Sequence, residues 1–298
     1  MVNDAHCHFF STNFFATLAQ QFEDPGAHSA DSVCRRLGWD APGDADALAD
    51  RWVHTFDANG VARGVLIASV PGDERSVGAA VARHPDRLVG FFMVDPSRPD
   101  AAERTTHALT DLGLRGLCLF PAMHHVPLDD PRVHHLVDLA ARVAGTAVFV
   151  HCGVLTVGVR QKLGLASRFD LRLGNPLSVA RLAQAHPHTP FVIPHFGAGL
   201  LREALMAADV APNIVLDTSS SNSWMRYQPG LTLESVFKAA LDVVGPTRLL
   251  FGTDSSFFPR GWQRGIYEQQ VLALATLGVT EADRALIVGG NFDRLFSR

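Results

Sequence analysis

Ala147-Val148-Phe149-Val150-His151-Cys152-Gly153 and, one unit further on, Phe191-Val192-Ile193-Pro194-His195-Phe196-Gly197 share one grammar: a short apolar, β-rich run that ends in histidine, with glycine two residues later. Apolar runs of this length, bounded by turn residues, read as buried strands. Six others flank these two: Val2 to Phe9, Gly64 to Val70, Leu88 to Val94, Arg115 to Phe120, Ile214 to Asp217 and Arg248 to Thr253. Segments of helical period lie between them, at Asp44 to Asn59, Ser76 to His84, Ala101 to Leu112, Arg132 to Ala144, Leu177 to Ala185, Leu200 to Ala208, Leu233 to Val243 and Trp262 to Leu277. A last helix is signalled at Thr280 to Val288, with Thr280 as N-cap and Asp283 three residues on. Strand and helix in strict alternation, with no Gly-rich phosphate loop, specify an α/β fold and favour a (β/α)8 TIM barrel over an open doubly wound sheet.

One barrel domain over residues 1–298 is expected, with active-site insertions at 10–45 and 152–176. The first carries Phe10, Phe14, Phe15 and Phe22 with Pro25, Gly26, Pro42 and Gly43, and the second carries four lysine or arginine side chains. Each follows a strand, so in a barrel each lies over the carboxyl-end face, and long irregular segments in compact domains are usually binding loops or lids.

Composition excludes several functions. Hydrophobic residues make up 47% and charged residues 19%, which argues against a disordered chain. The formal charge of −4 and pI near 6.4 give no global positive field, so neither nucleic acid nor a membrane surface is an expected partner. A small-molecule substrate is expected, and a homo-oligomer is compatible. Met1-Val2-Asn3-Asp4 lacks the basic and apolar regions of a signal peptide, which leads to a cytoplasmic expectation. Cys7, Cys34, Cys118 and Cys152 form no Cys-x-x-Cys pair and are expected as reduced thiols.

The chemistry concentrates at strand ends. In Asp4-Ala5-His6-Cys7-His8, strand alternation puts His6 and His8 on one face, Cα atoms ~6.6–7 Å apart, and turns Cys7 into the layer between barrel and helices. His151, His195 and Asp254 end the fifth, sixth and eighth runs. Each has an ordinary explanation, a satisfied core histidine or a helix-capping aspartate. Jointly they are harder to explain that way, because the first and eighth strands of a closed barrel are neighbours and bring His6 and His8 beside Asp254. Three nitrogens and one oxygen suit one divalent ion, Zn2+ first, with Mn2+ or Fe2+ as alternatives.

These segments resemble the amidohydrolase superfamily, in the amidohydrolase-related group that includes aminocarboxymuconate-semialdehyde decarboxylase and single-metal hydrolases. The resemblance rests on Asp4 to Phe9, His84-Pro85-Asp86-Arg87-Leu88-Val89-Gly90-Phe91, Val150-His151-Cys152-Gly153, Pro194-His195-Phe196-Gly197-Ala198-Gly199, Leu250-Phe251-Gly252-Thr253-Asp254 and Gly290-Asn291-Phe292-Asp293-Arg294-Leu295-Phe296. It implies a barrel of metal-dependent hydrolase type, with one ion on His6, His8, His151 and Asp254. It also implies His195 as the catalytic histidine, with Asp254 sharing in proton transfer. Related two-metal barrels bridge their ions with a modified lysine on the fourth strand. Here that strand reads Leu117-Cys118-Leu119-Phe120-Pro121, and the only lysines are Lys162, expected in a loop, and Lys238, expected in a helix.

The expected activity is hydrolysis of an ester, lactone or amide through a water activated by the ion. Non-oxidative decarboxylation of an unsaturated or aromatic carboxylic acid is the alternative, and a non-catalytic binding barrel is a second one. Candidate substrate contacts are Arg160, Arg172, Ser219 and Trp224. Arg168, Arg226 and Arg260 are further arginines after the strands, and Phe14, Phe15, Phe257 and Phe258 are candidates for an apolar pocket mouth.

Overall fold

The computed structural model describes residues 1–22 and 29–296, so Pro25 and Gly26 of the first insertion lie outside the described residues. The eight strands are β1 (Val2–Phe9), β2 (Val61–Ala68), β3 (Leu88–Met93), β4 (Gly116–Leu119), β5 (Ala147–Val150), β6 (Phe191–Ile193), β7 (Ile214–Asp217) and β8 (Leu249–Leu250). They form one parallel sheet in sequence order, β1 to β8. Closure comes from backbone bonds beyond β8: Ala5 N donates to Phe251 O (2.9 Å), Asp254 N to His6 O (2.9 Å) and His8 N to Ser255 O (2.7 Å). The result is the expected (β/α)8 TIM barrel.

Alternation along the strands separates two apolar layers. Ala5, Val65, Ile67, Val89, Phe91 and Phe149 pack inside the barrel, whereas Cys7, Leu66, Ala68, Phe92, Val148 and Val150 face the helices. Cys7 therefore points where expected, and all four cysteines are buried free thiols. In the outer layer Trp52 and Phe56, on the helix Ala45–Asn59, are fully buried. Each such aromatic contributes roughly 1.5–3 kcal/mol relative to an exposed one. The end opposite the site is closed by the helix Asn291–Phe296, whose Phe292 and Phe296 join the inner layer.

Three differences from expectation have local causes. β6 and β8 are shorter than their apolar runs: Pro194 has no N–H to give to a ladder, and His195 and Asp254 take left-handed φ values of 56° and 59°. The insertion at 10–45 is not irregular throughout. Ser11 caps a helix at Thr12–Ala19, and Ser29 with Ser32 makes a capping box for Ala30–Leu37. The insertion at 152–176 holds two short turns of helix, Gly158–Lys162 and Leu171–Gly174, so Lys162 ends a helix rather than sitting in a loop. At the carboxyl end, Thr280 caps the helix Glu281–Ala285 by accepting from Asp283 N, and the chain continues through a π-turn, Leu286–Gly290.

Candidate functional site

The carboxyl ends of the strands open into a pocket of about 400 Å³, lined by His6, His8, His151, His195 and Asp254 among others. β1 carries one extra residue against β2 between Asp4 and Cys7, where the partners are Gly64 and Leu66. Such a bulge re-aims a side chain. Here it lets Ala5 pack in the inner layer while the next residue, His6, also reaches the barrel interior and meets Phe149 with ring centroids 5.2 Å apart. The backbone bond from Asp254 N to His6 O then fixes the eighth strand's carboxylate beside that ring.

His6, His8 and Asp254 each offer a ligand atom, and these atoms lie within 4.8 Å of one another. Asp254 Oδ1 is 3.0 Å from His8 Nε2 and 3.7 Å from His6 Nε2. The opposite ring nitrogens settle why Nε2 is the inward one. His6 Nδ1 lies 2.6 Å from Asp217 Oδ2, which only accepts, so Nδ1 carries the proton and Nε2 the lone pair. His8 Nδ1 lies 2.7 Å from Ser69 Oγ, whose own proton goes to Ile67 O (2.9 Å), so His8 takes the same tautomer. Two imidazole lone pairs and a carboxylate converging this closely form a donor set that fits a divalent cation.

His151 and His195 stand next to this set. Their ring centroids are 5.4 Å apart, His195 is 5.0 Å from His6, and His151 lies against Phe120 at 5.4 Å. His151 falls outside the tight three-residue cluster in which it was expected as a fourth ligand. His195 Nδ1 is 3.3 Å from the Ser219 carbonyl, an acceptor, which directs its proton there and leaves Nε2 as the basic nitrogen. Burial pushes His195 and His8 below the usual histidine range and His151 well below it. His6 is also pulled down by burial, but Asp217 and Asp254 outweigh this and raise it. Asp254 is raised by burial and lowered more by the His8 hydrogen bond and the surrounding imidazoles, so the net shift is downward.

The structure corrects the candidate substrate contacts. Ser219 is fully buried behind the rings, its Oγ between His6 Nδ1 (3.0 Å) and His195 Nδ1 (2.9 Å), and it is a support for the histidines rather than a pocket hydroxyl. Trp224 is buried and donates to Asn222 Oδ1, away from the pocket lining. Arg172 pairs with Asp170 and its side chain is 89% exposed. Arg160 bonds Gln21 Oε1 and the Ala166 carbonyl and so ties the two insertions together. Of the candidate phenylalanines, Phe14 and Phe257 line the pocket, whereas Phe15 and Phe258 are packed. Asp217 and Ser69 were missed. Asp217 ends β7, the same strand-end position that singled out His151, His195 and Asp254, and that signal was available.

A family model described as amidohydrolase matches residues 4–298. The chain belongs to the amidohydrolase family. Its fold is similar to that of 5-carboxyvanillate decarboxylase from Sphingomonas paucimobilis, at 17% identity, with 99% of this chain and 98% of that one covered and a TM-score of 0.65. It is equally similar to a probable 2-pyrone-4,6-dicarboxylic acid hydrolase from Acinetobacter baumannii, at 15% identity, 100% and 99% coverage and a TM-score of 0.64. A zinc-bound amidohydrolase from Burkholderia multivorans gives 17%, 100% and 99%, and 0.61. Over 90 residues the amidohydrolase is 33% identical to protein fluG of Emericella nidulans, a match that spans 30% of this chain and 10% of that protein. The neighbours thus include both decarboxylases and hydrolases. No helix among the described residues is long and apolar enough to cross a membrane.

Proposed function

We propose that this amidohydrolase is a metal-dependent hydrolase that cleaves an ester, lactone or amide bond of a small organic substrate, with one divalent ion, zinc first, on His6, His8 and Asp254 and with His151 completing the set. The observation that carries the reading is the convergence of His6, His8 and Asp254 within 4.8 Å in the pocket, next to a third and a fourth histidine. When bound there, a divalent ion lowers the pKa of water towards neutrality and polarises a carbonyl.

The chain's own residues do the rest. Asp217 and Ser69 hold the ligand rings in the tautomer that presents Nε2. His195, kept neutral by burial and with its Nδ1 proton turned to the Ser219 carbonyl, has Nε2 free to take a proton from the attacking water and return it to the leaving group. Phe10, Phe14 and Met93 give the pocket an apolar wall for the organic part of a substrate.

The test uses protein loaded with zinc or manganese and a panel of lactones, esters, amides and unsaturated carboxylic acids, followed for acid release and for CO2. Acid release with one oxygen taken from isotopically labelled water is expected. CO2 release without incorporation of labelled oxygen overturns hydrolysis in favour of decarboxylation, and failure to bind any divalent ion favours a binding barrel.

A further inference from the structure

The outer surface of the barrel carries an apolar groove of about 450 Å³ that the chemistry at the strand ends does not use. It lies between the helices Leu201–Val210 and Leu233–Val244, which pack side by side. The first helix contributes Leu205 and Met206 to its lining and the second contributes Val243, with Arg202, Asp209 and Asp242 exposed beside them. Met206 is 52% exposed, Val210, one turn further along, 56%, and Val243 37%. Large apolar side chains exposed together, rather than singly, mark a contact surface. The groove shares no lining residue with the pocket of His6, His8 and Asp254, so the two can be occupied at once.

The order of residues along Leu201–Val210 indicates what covers this face. At 3.6 residues per turn, Arg202, Leu205, Met206 and Asp209 fall within about 100° of one another, on one side of the helix. Their order is self-complementary about the midpoint between Leu205 and Met206. A second copy of the helix, reversed and laid face to face on the first, sets Arg202 opposite Asp209 at both ends and Met206 opposite Leu205 in the middle. The two charged positions are about 10.5 Å apart along the axis, so both pairs form in one arrangement.

The charges are available for this. Arg202, with its side chain 83% exposed, spends Nε and Nη2 on Glu203 Oε1 and keeps Nη1, among the described residues, for a second carboxylate. Asp209 forms no salt bridge among the described residues, although its charge is felt by Arg248. A two-fold contact requires a patch that matches itself reversed, whereas an unrelated partner imposes no such symmetry on the sequence.

We propose that this face is the two-fold interface of a homodimer, in which the helix Leu201–Val210 packs antiparallel against its own copy. The flexible Met206 side chain of each subunit fills the groove beside the other's Leu205. Burial of this apolar centre supplies the adhesion. The two Arg202–Asp209 pairs at its ends fix the register and exclude the parallel arrangement, in which like charges would meet.

Sedimentation velocity on the full chain, from about 1 to 100 μM, tests the proposal, and a dimer is expected within that range. Arg202→Asp and Asp209→Arg are each expected to raise the dimer dissociation constant at least about tenfold, because each sets like charges opposite one another at both ends. Met206→Glu, which puts carboxylates at the apolar centre, is expected to give a monomer. Mixing the first two variants separates this face from any other. One then presents two acids and the other two bases, so a heterodimer is expected within about threefold of the wild-type affinity. The double variant Arg202→Asp with Asp209→Arg should likewise recover self-association. Unchanged circular dichroism excludes misfolding. A monomer throughout the range, a dimer indifferent to Met206→Glu, or a mixture of the two single variants that associates no better than either alone overturns the assignment.

Discussion

Asp217→Asn is the most discriminating single change at the His6–His8–Asp254 cluster, because it alters hydrogen-bond polarity at constant shape. Asp217 is fully buried; its Oδ2 accepts from His6 Nδ1 at 2.6 Å and its Oδ1 from Ser219 N at 2.6 Å. An asparagine has one acceptor and an amide that only donates. The Ser219 N–H needs the oxygen, so the amide nitrogen faces His6 and draws its lone pair to Nδ1, moving the proton to the Nε2 that faces Asp254. Loss of such an outer partner costs tenfold to a hundredfold in metal affinity, which is about 1.4–2.7 kcal/mol.

Competition for zinc against a chromogenic chelator measures this directly, with the melting temperature of the metal-free protein as control. Ser69→Ala provides a graded comparison. It removes a neutral, half-exposed partner from His8 and is expected to cost about threefold. Zinc affinity unchanged in Asp217→Asn, in a protein that melts normally, refutes the tautomer argument. A larger effect from Ser69→Ala than from Asp217→Asn reverses the assigned order of the two rings.

Removing His195, which neighbours the His6–His8–Asp254 cluster without belonging to it, should leave bound zinc within about threefold by elemental analysis while lowering turnover about a hundredfold to ten-thousandfold. His151→Ala should lower both metal content and turnover, and metal loss in His195→Ala instead would exchange the two roles. Arg172→Ala should leave kcat/KM within about twofold and stability within about 0.5 kcal/mol, because the side chain is exposed and meets only Asp170. Gly153→Ala should destabilise the fold by about 3 kcal/mol in urea titration. Gly153 has φ 68°, and a Cβ there would sit 2.2 Å from Gly197 O and 2.4 Å from Ala198 O, closing on the loop that carries His195.

The parts of this molecule legible in its sequence are those in which one local rule acts alone. Apolar runs punctuated by polar residues marked all eight strands, and closure of a barrel then placed His6, His8 and Asp254 together without further information. The ends of β6 and β8 were less legible, because left-handed turns at His195 and Asp254 are imposed by the packing around them and not by residue type. Loop partners were least legible of all. That Trp39 from the first insertion stacks on Phe257 after β8, and that Lys162 from the second insertion lies over both, depends on three segments far apart in sequence meeting over one mouth. Of the arginines chosen from sequence, Arg172 found its partner two residues away in Asp170, and Arg160 bonds the Ala166 carbonyl and Gln21 of the first insertion. Lys162 and Arg260, by contrast, meet through one shared ring, Phe257, an arrangement that belongs to tertiary structure. The strand ends therefore bring the histidines and Asp254 to the pocket, and the insertions add Trp39 and Lys162 to its lining.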